Sequence, residues 1–360
     1  MKGRHVAKRL AALVGGLVTA LVCAEVAWRL FGPRPLAEPT IRTPDGAQVP
    51  LATITSFVKR GDVSTPSDGE SGPRGRLAPN LDVRFCFDGP PPPNGDADGC
   101  IEVRTNALGF RDEEFTADKP TGETRILCVG DSFTFGNGVR AEDTWVEQLE
   151  ERLAARHAPV QVINAGFATG DHQPGGYDAW IASDGLALAP DLVIVGVCLN
   201  DLGDVPMALI APPVERPWLG GACRILVHLQ QLRADRAYAL QEFPDARLLL
   251  ELVPEPWNAT RAGLVRIRAA CTARGVPFAV VVFPMLERTQ TGRYPYQGLH
   301  TAIAEFCDAQ GITRFDMLDA FLGREARALW AHPTDQHPSP EAHALIANAL
   351  VGPVEALLFD

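Results

Sequence analysis

The residues best placed to do chemistry in this 360-residue sequence begin with a serine that follows a short apolar run. Ile126, Leu127, Cys128 and Val129 leave no water-facing position, as in a strand buried on both faces, and Gly130 breaks the run. Ser132 therefore falls where a buried parallel strand ends and the chain turns, the place where open α/β sheets hold their ligands. A hydroxyl delivered there is a candidate nucleophile. By itself, Gly130-Asp131-Ser132 reads more readily as a plain turn, since all three residue types favour turns for reasons unrelated to catalysis. The other strand ends must decide.

A second apolar run, 160–163, leads into Asn164-Ala165-Gly166, and a third, 192–198, leads into Leu199-Asn200-Asp201. Near the C-terminus, Asp335-Gln336-His337 stands just before Ser339-Pro340, an N-cap and first-turn pair for a final helix. Parallel strands bring their C-terminal ends to one sheet edge, so Ser132, Gly166 and Asn200 can converge without being neighbours in sequence.

The positioning elements follow from periodicity. A helix is predicted near 142–156, with Trp145, Leu149 and Leu153 on one face, and another around 176–188. Residues 203–243 have mixed helical character and are read as a cover for the site. Helices near 261–274 and 300–310 precede strands at 278–283 and 312–315. The last helix buries Ala342, Leu345, Ile346, Ala349 and Leu350 and carries His343. Such alternation predicts an α/β fold, a parallel sheet with helices on both faces. No internal repeat is present.

With these blocks in order, the chain resembles the SGNH/GDSL hydrolases over roughly residues 124–360. The matching motifs are Gly130-Asp131-Ser132, Asn164-Ala165-Gly166, Asn200-Asp201 and the Asp335 to His337 block. The resemblance implies a flavodoxin-like three-layer α/β/α sandwich. It also implies roles: Ser132 as nucleophile, His337 as base and then acid, Asp335 as the group orienting the imidazole. Ser132 N–H, Gly166 N–H and the Asn200 amide would form the oxyanion hole. One departure stands out. The family often places its Asp three residues before the His, and here that position is Thr334, with Asp335 only two before. A Ser-His dyad assisted by a backbone carbonyl is the fallback.

Ahead of this domain lie a basic segment (1–9), an apolar stretch (10–31), a Pro/Gly-rich tether (32–80) and a small N-terminal β appendage (81–118), with the hydrolase domain over 122–360. Lys2, Arg4, Lys8 and Arg9 precede the apolar stretch, which predicts an N-in, C-out transmembrane anchor if Glu25 and Arg29 lie near its outer end. A cleaved signal peptide ending at Val22-Cys23-Ala24 is the rival, while Val22 before Cys23 disfavours a lipoprotein. Each version exports the body of the protein, to the inner-membrane face outside the cytoplasm or, after cleavage, beyond it. In that compartment Cys86 and Cys100, flanking a Pro/Gly/Asp-rich loop, are candidates for a disulfide. Cys128 and Cys198 read as buried small hydrophobes.

Other readings are weighed against plainer ones. Segment 106–112 could reach the site rim but reads first as a structural turn. Asp131 and Asp201 read as turn residues. His332, His337 and His343 match no ordinary zinc spacing, so no metal and no cofactor are expected. Asn258-Ala259-Thr260 reads as a chance glycosylation match, and Thr134 stands where a Gly-x-Ser-x-Gly elbow needs glycine. With 33 basic against 44 acidic residues, a net charge of -11 and 46% apolar residues, the chain has ample core and no nucleic-acid footprint.

The expected activity is a serine esterase working through an acyl-enzyme on a small-molecule or glycan ester, such as O-acyl groups of an envelope or extracellular glycan. An O-acyltransferase using the same acyl-enzyme and a non-catalytic envelope-binding module are the alternatives, and the oligomeric state is unreadable.

Overall fold

The computed structural model describes residues 2–32, 36–51, 77–168, 174–203, 223–240, 245–290, 292 and 294–359. The chain divides into two compact units, Met1–Leu36 with Leu209–Phe243, and Ala37–Ala208 with Pro244–Asp360. The first contains α1 (Lys2–Phe31), in which Ala11–Phe31 is long and apolar enough to cross a bilayer.

The second unit opens with β1 (Thr40–Arg42), β2 (Gln48–Pro50), β3 (Asp82–Cys86) and β4 (Cys100–Arg104), an antiparallel sheet of order β2-β1-β3-β4. Two of its strands fall inside the stretch expected to be a tether. Strands of three residues are too short for alternation to be read, and in β1 only Ile41 is fully buried. Cys86 and Cys100 face one another in register and are disulfide-bonded. The sheet's apolar face (Ile41, Val83, Phe85, Ile101, Val103) packs around Phe135 and Ala168, so it rests directly on the rest of the second unit rather than hanging from it.

The main sheet begins with β5 (Thr124–Gly130), followed by the single turn α2 (Ser132–Phe135) and by α3 (Trp145–His157). Thr144 caps α3 through Glu147 N–H, so the helix starts three residues later than expected, after a short 3₁₀ turn at Ala141–Asp143. Trp145, Leu149 and Leu153 are wholly buried, each contributing roughly 2 kcal/mol. β6 (Val160–Gly166), α4 (Pro174–Trp180) and β7 (Leu192–Cys198) follow.

After β7 come α5 (Arg224–Leu240), which belongs to the first unit, then α6 (Arg247–Leu252) and α7 (Pro254–Ala273). Of the stretch expected to cover the site, 204–222 and 241–243 lie outside the described residues. Helix α7 begins at Pro254, ahead of the expected start at 261. Pro254 and Pro256 fall in its first turn, where no N–H has an intrahelical acceptor to lose. Strands β8 (Phe278–Phe283) and β9 (Thr313–Asp316) flank α8 (Gln297–Gln310). The chain ends with α9 (Leu318–Phe321), the hairpin β10 (Trp330–His332) and β11 (Asp335–Pro338), and α10 (Pro340–Leu358).

The five-stranded sheet is parallel throughout, in the order β6-β5-β7-β8-β9. Counted along the chain this is 2-1-3-4-5, the flavodoxin-like winding. Helix α3 packs with α10 and α4 with α7, and right-handed crossovers on either side of β5 put the two pairs on opposite faces. The winding reverses between β5 and β7. The chain leaving those two strands supplies Ser132 and Asn200.

In the first unit, the Glu25 carboxylate of α1 accepts hydrogen bonds from Arg224 N–H (2.8 Å), Ile225 N–H (3.1 Å) and the Cys223 thiol (3.2 Å) at the start of α5. Arg29 pairs with the same carboxylate at 2.7 Å, and the Trp28 and His228 rings lie 4.9 Å apart.

Candidate active site

Ser132 is the first residue of α2. Its predecessor Asp131 caps that turn by accepting a hydrogen bond from Phe133 N–H at 2.9 Å, which fixes the sharp exit from β5. The turn ends at Gly136, whose left-handed φ of 85° only glycine adopts readily, and Gly136 N–H returns to Ser132 C=O at 2.9 Å. Ser132 is nearly buried, 4% exposed, yet its hydroxyl has a partner: Oγ lies 2.8 Å from His337 Nε2.

His337 arrives from β11. Its Nδ1 lies 2.5 Å from Asp335 Oδ1, and its backbone N–H donates to the same oxygen at 3.1 Å. Asp335 and His337 stand two apart on a strand, and such residues share a face. The shortened spacing thus suits a strand. Thr334, at the position the family often gives to Asp, instead contacts His332: the hydroxyl at 2.7 Å and the N–H at 3.1 Å from His332 Nδ1.

The electrostatics agree with this arrangement. Burial works against a charged imidazole at His337, but the Asp335 carboxylate and, farther off, Asp131 hold the ring above its ordinary value. Burial would raise Asp335, yet His337 keeps it below the usual carboxylate range. The side chain of His337 is 25% exposed and that of Asp335 only 7%, so solvent reaches the imidazole rather than the acid.

Asn200 lies in the 3₁₀ turn Leu199–Leu202 after β7, and its amide Nδ2 donates to Asp131 Oδ2 at 3.3 Å. That leaves its second N–H for another acceptor. Burial raises Asp131 above the carboxylate range, moderated by Phe133 N–H, His337 and Asn200. Asp201 accepts from Cys198 N–H at 3.1 Å, and its carbonyl takes the buried Thr260 hydroxyl at 2.8 Å. Asp131 and Asp201 therefore hold turns together, and the Asn258-Ala259-Thr260 match lies inside helix α7.

Gly166 pairs with Gly130 across the β5–β6 ladder. Nothing larger fits: a Cβ there would stand 2.2 Å from Phe135 N. β6 is an edge strand, and its outward N–H groups are met one by one by side chains. Val162 N–H donates to Glu150 (2.5 Å), Asn164 N–H to Asp112 Oδ2 (2.9 Å) and Gly166 N–H to Asn164 Oδ1 (3.1 Å). Gly166 N–H thus faces away from β5 and the Ser132 turn with a local acceptor already in place, and is not aimed at the oxyanion as the resemblance implies.

Segment 106–112 is the turn expected from its sequence, with Asn106 Oδ1 accepting from Leu108 and Phe110 N–H at 3.0 Å each. It also does more. Its last two side chains, Arg111 and Asp112, reach the turn that carries Ser132 and strand β6. The adjacent opposite charges amid apolar residues were the available signal.

Of the other histidines, His332 Nε2 lies 3.1 Å from Pro90 C=O, in the disulfide-closed loop. His343 is buried on α10 and accepts from Trp145 N–H at 3.1 Å; burial and Arg111 push it down to about 3, so it is neutral. Among the described residues no group of His, Cys, Asp and Glu side chains is arranged to hold a metal ion.

Residues 128–345 match the profile of the GDSL-like Lipase/Acylhydrolase family. Comparison with curated proteins finds no match. Among solved structures, the chain is similar to the psychrotrophic esterase EstA from Pseudoalteromonas sp., with 17% identity, 66% of this chain and 100% of that one covered, and a TM-score of 0.41. It is likewise similar to TesA (17% identity, 65% and 100% covered, TM-score 0.42) and to the acetyl xylan esterase AlAXEase (14%, 64% and 99%, TM-score 0.40). The family profile spans more than half of the chain and holds the serine, glycine, asparagine and Asp-His blocks in their order, and the chain belongs to the GDSL-like lipase/acylhydrolase family of ester-bond hydrolases.

Proposed function

We propose that the protein is a serine esterase that cleaves carboxylic esters through an acyl-enzyme on Ser132. The observation that carries this reading is the continuous path from Asp335 through His337 to the Ser132 hydroxyl, with 2.5 and 2.8 Å steps. The Ser132 Oγ attacks the ester carbonyl carbon while His337 Nε2 takes its proton. Asp335 accepts from Nδ1–H, which keeps the imidazole in the useful tautomer and stabilises its cation. The oxyanion is received by Ser132 N–H, unpaired within the first turn of α2, and by the free N–H of Asn200. Collapse passes the proton from His337 to the departing alcohol. Water, deprotonated by the same imidazole, then attacks the acyl carbon; the acid leaves and Ser132 recovers its proton.

For the substrate, we infer O-acyl groups on an envelope or extracellular glycan. Support comes from an apolar N-terminal helix preceded by basic residues and from the disulfide, which suits an oxidising compartment. We further read α1 as a retained anchor rather than a cleaved leader. Glu25 accepts two backbone N–H groups that open α5, a helix 200 residues downstream, and such a cap serves only a protein that keeps α1.

The test is hydrolysis by the full chain in detergent. Acetate release from an acetylated polysaccharide and from a short-chain aryl ester is expected, with loss of both in Ser132→Ala. Undiminished turnover in that variant would refute the assignment. Aryl-ester turnover without release from any acetylated glycan would refute the substrate class alone.

A further inference from the structure

We propose that Arg111 and Asp112 are positioning residues for catalysis, one bracing the nucleophile turn and the other edge strand β6, on whose Gly166 that turn packs, so that the N-terminal sheet belongs to the catalytic machinery. The proposal rests on the role of Ser132 given above.

The nucleophile turn cannot hold its own shape. Helix α2 has only four residues, far below the length at which a helix persists, and its closing carbonyls have no intrahelical donors. Arg111 supplies them. Arg111 is 2% exposed, and its guanidinium donates to Phe135 C=O at 2.9 Å, to Gly136 C=O and to Val139 C=O at 2.5 Å. The guanidinium carbon also sits 4.9 Å from the Phe135 ring centre. A planar fork serving three carbonyls around one turn is something Arg offers and Lys does not.

Asp112 does the matching work on β6. Its Oδ2 accepts from Asn164 N–H at 2.9 Å, which sets the backbone of the residue whose own Oδ1 meets Gly166 N–H at 3.1 Å. Edge strand β6 has no neighbouring strand to supply that acceptor. The Asn164 amide Nδ2 lies 3.5 Å from Phe135 C=O, the carbonyl that Arg111 also holds, so the two braces meet at one atom. Consecutive residues thus set the nucleophile turn and strand β6 relative to each other. Both follow directly from β4 through the Asn106 turn, and the same sheet packs on Phe135. Misplacing a reacting group by about 1 Å can cost roughly 100-fold in rate, which is the lever these contacts hold.

The experiment compares Arg111→Lys, Asp112→Ala, Asp112→Asn and Asn164→Ala in the full chain, reading kcat, KM, the rate of Ser132 modification by a serine-directed phosphonate, and thermal midpoint. Arg111→Lys is expected to lower kcat and phosphonate reactivity together by at least about 30-fold, with KM within about threefold. Asp112→Ala should lose at least about 10-fold in kcat. Asp112→Asn, whose side-chain oxygen still accepts from Asn164 N–H, should recover most of it. If Asp112 acts through Asn164, the double variant Asp112→Ala/Asn164→Ala should be little worse than the poorer single variant. Folded Arg111→Lys and Asp112→Ala proteins with kcat within twofold of the parent, or an Asn variant no better than the Ala variant, would overturn the proposal. Turnover persisting in Ser132→Ala would instead remove the reading on which it rests.

Discussion

Asp335 and His337 stand two residues apart on one short strand, and a single carboxylate oxygen of Asp335 takes both the ring Nδ1 at 2.5 Å and the backbone N–H of His337 at 3.1 Å. The contact fixes the imidazole in place and in tautomer, and it holds the ring above its ordinary value against the pull of burial. The free base is the neutral imidazole, so kcat/KM should fall as pH drops through that raised value. Asp335→Asn removes the charge that raises it, and the acid limb of the profile should move to lower pH while kcat drops by roughly 10³- to 10⁴-fold. A pH–rate series on both proteins checks this; an acid limb that stays in place would show that Asp335 does not act on His337.

Asn200 donates one N–H to Asp131, which itself caps the Ser132 turn, and its second N–H is the oxyanion donor proposed above. Asn200→Ala should reduce kcat by about 100- to 1000-fold with little change in KM, the mark of a donor used chiefly in the transition state. Steady-state kinetics on an aryl ester would show it. A change confined to KM would place Asn200 in substrate binding instead.

Parallel-strand winding and the four motif blocks were readable because buried strands announce themselves as unbroken apolar runs and turns as Gly, Asn and Asp. The placement of Ser132 and Asn200 after neighbouring strands then follows from topology alone. What could not be read depended on partners remote in sequence. β1 and β2 carry too few residues for a pattern, and their place in the sheet comes from β3. Arg111 and Asp112 looked like an ordinary turn because their acceptors and donors lie 24 to 52 positions away. The displaced Asp335 raised a question that only a strand conformation answers, since in a helix or an irregular loop residues two apart need not share a face.

Burial raises both Glu147 on α3 and Asp112; the Asp112 and Glu150 carboxylates add to Glu147, and Glu150 and Glu113 to Asp112. A carboxyl whose folded-state value is raised binds more protons folded than unfolded, so its stabilising effect is present at low pH and declines as pH rises above the unfolded value of about 4.3. Glu147→Gln should therefore raise the thermal midpoint at pH 8 more than at pH 5. Calorimetry at the two values tests it, and equal shifts would mean Glu147 is charged throughout.

The Cys86–Cys100 bond closes a loop with a sequence separation of 14, and the enclosed loop meets the Asp335 hairpin through Pro90 and His332. Replacing both cysteines by alanine should cost roughly 3 kcal/mol from the loop-closure effect, seen as a lower midpoint in denaturant. The same midpoint with and without reductant in the parent protein would argue that the bond is not formed.

The central claim is that Ser132 is a nucleophile activated by His337, and covalent capture addresses it most directly. The full chain is treated with a serine-directed fluorophosphonate and digested, and the adduct is mapped by mass spectrometry. The account requires one modified residue, Ser132, with labelling absent in Ser132→Ala and slowed at least about 100-fold in His337→Ala. An adduct on another residue, or labelling of Ser132 at the parent rate without His337, would contradict it.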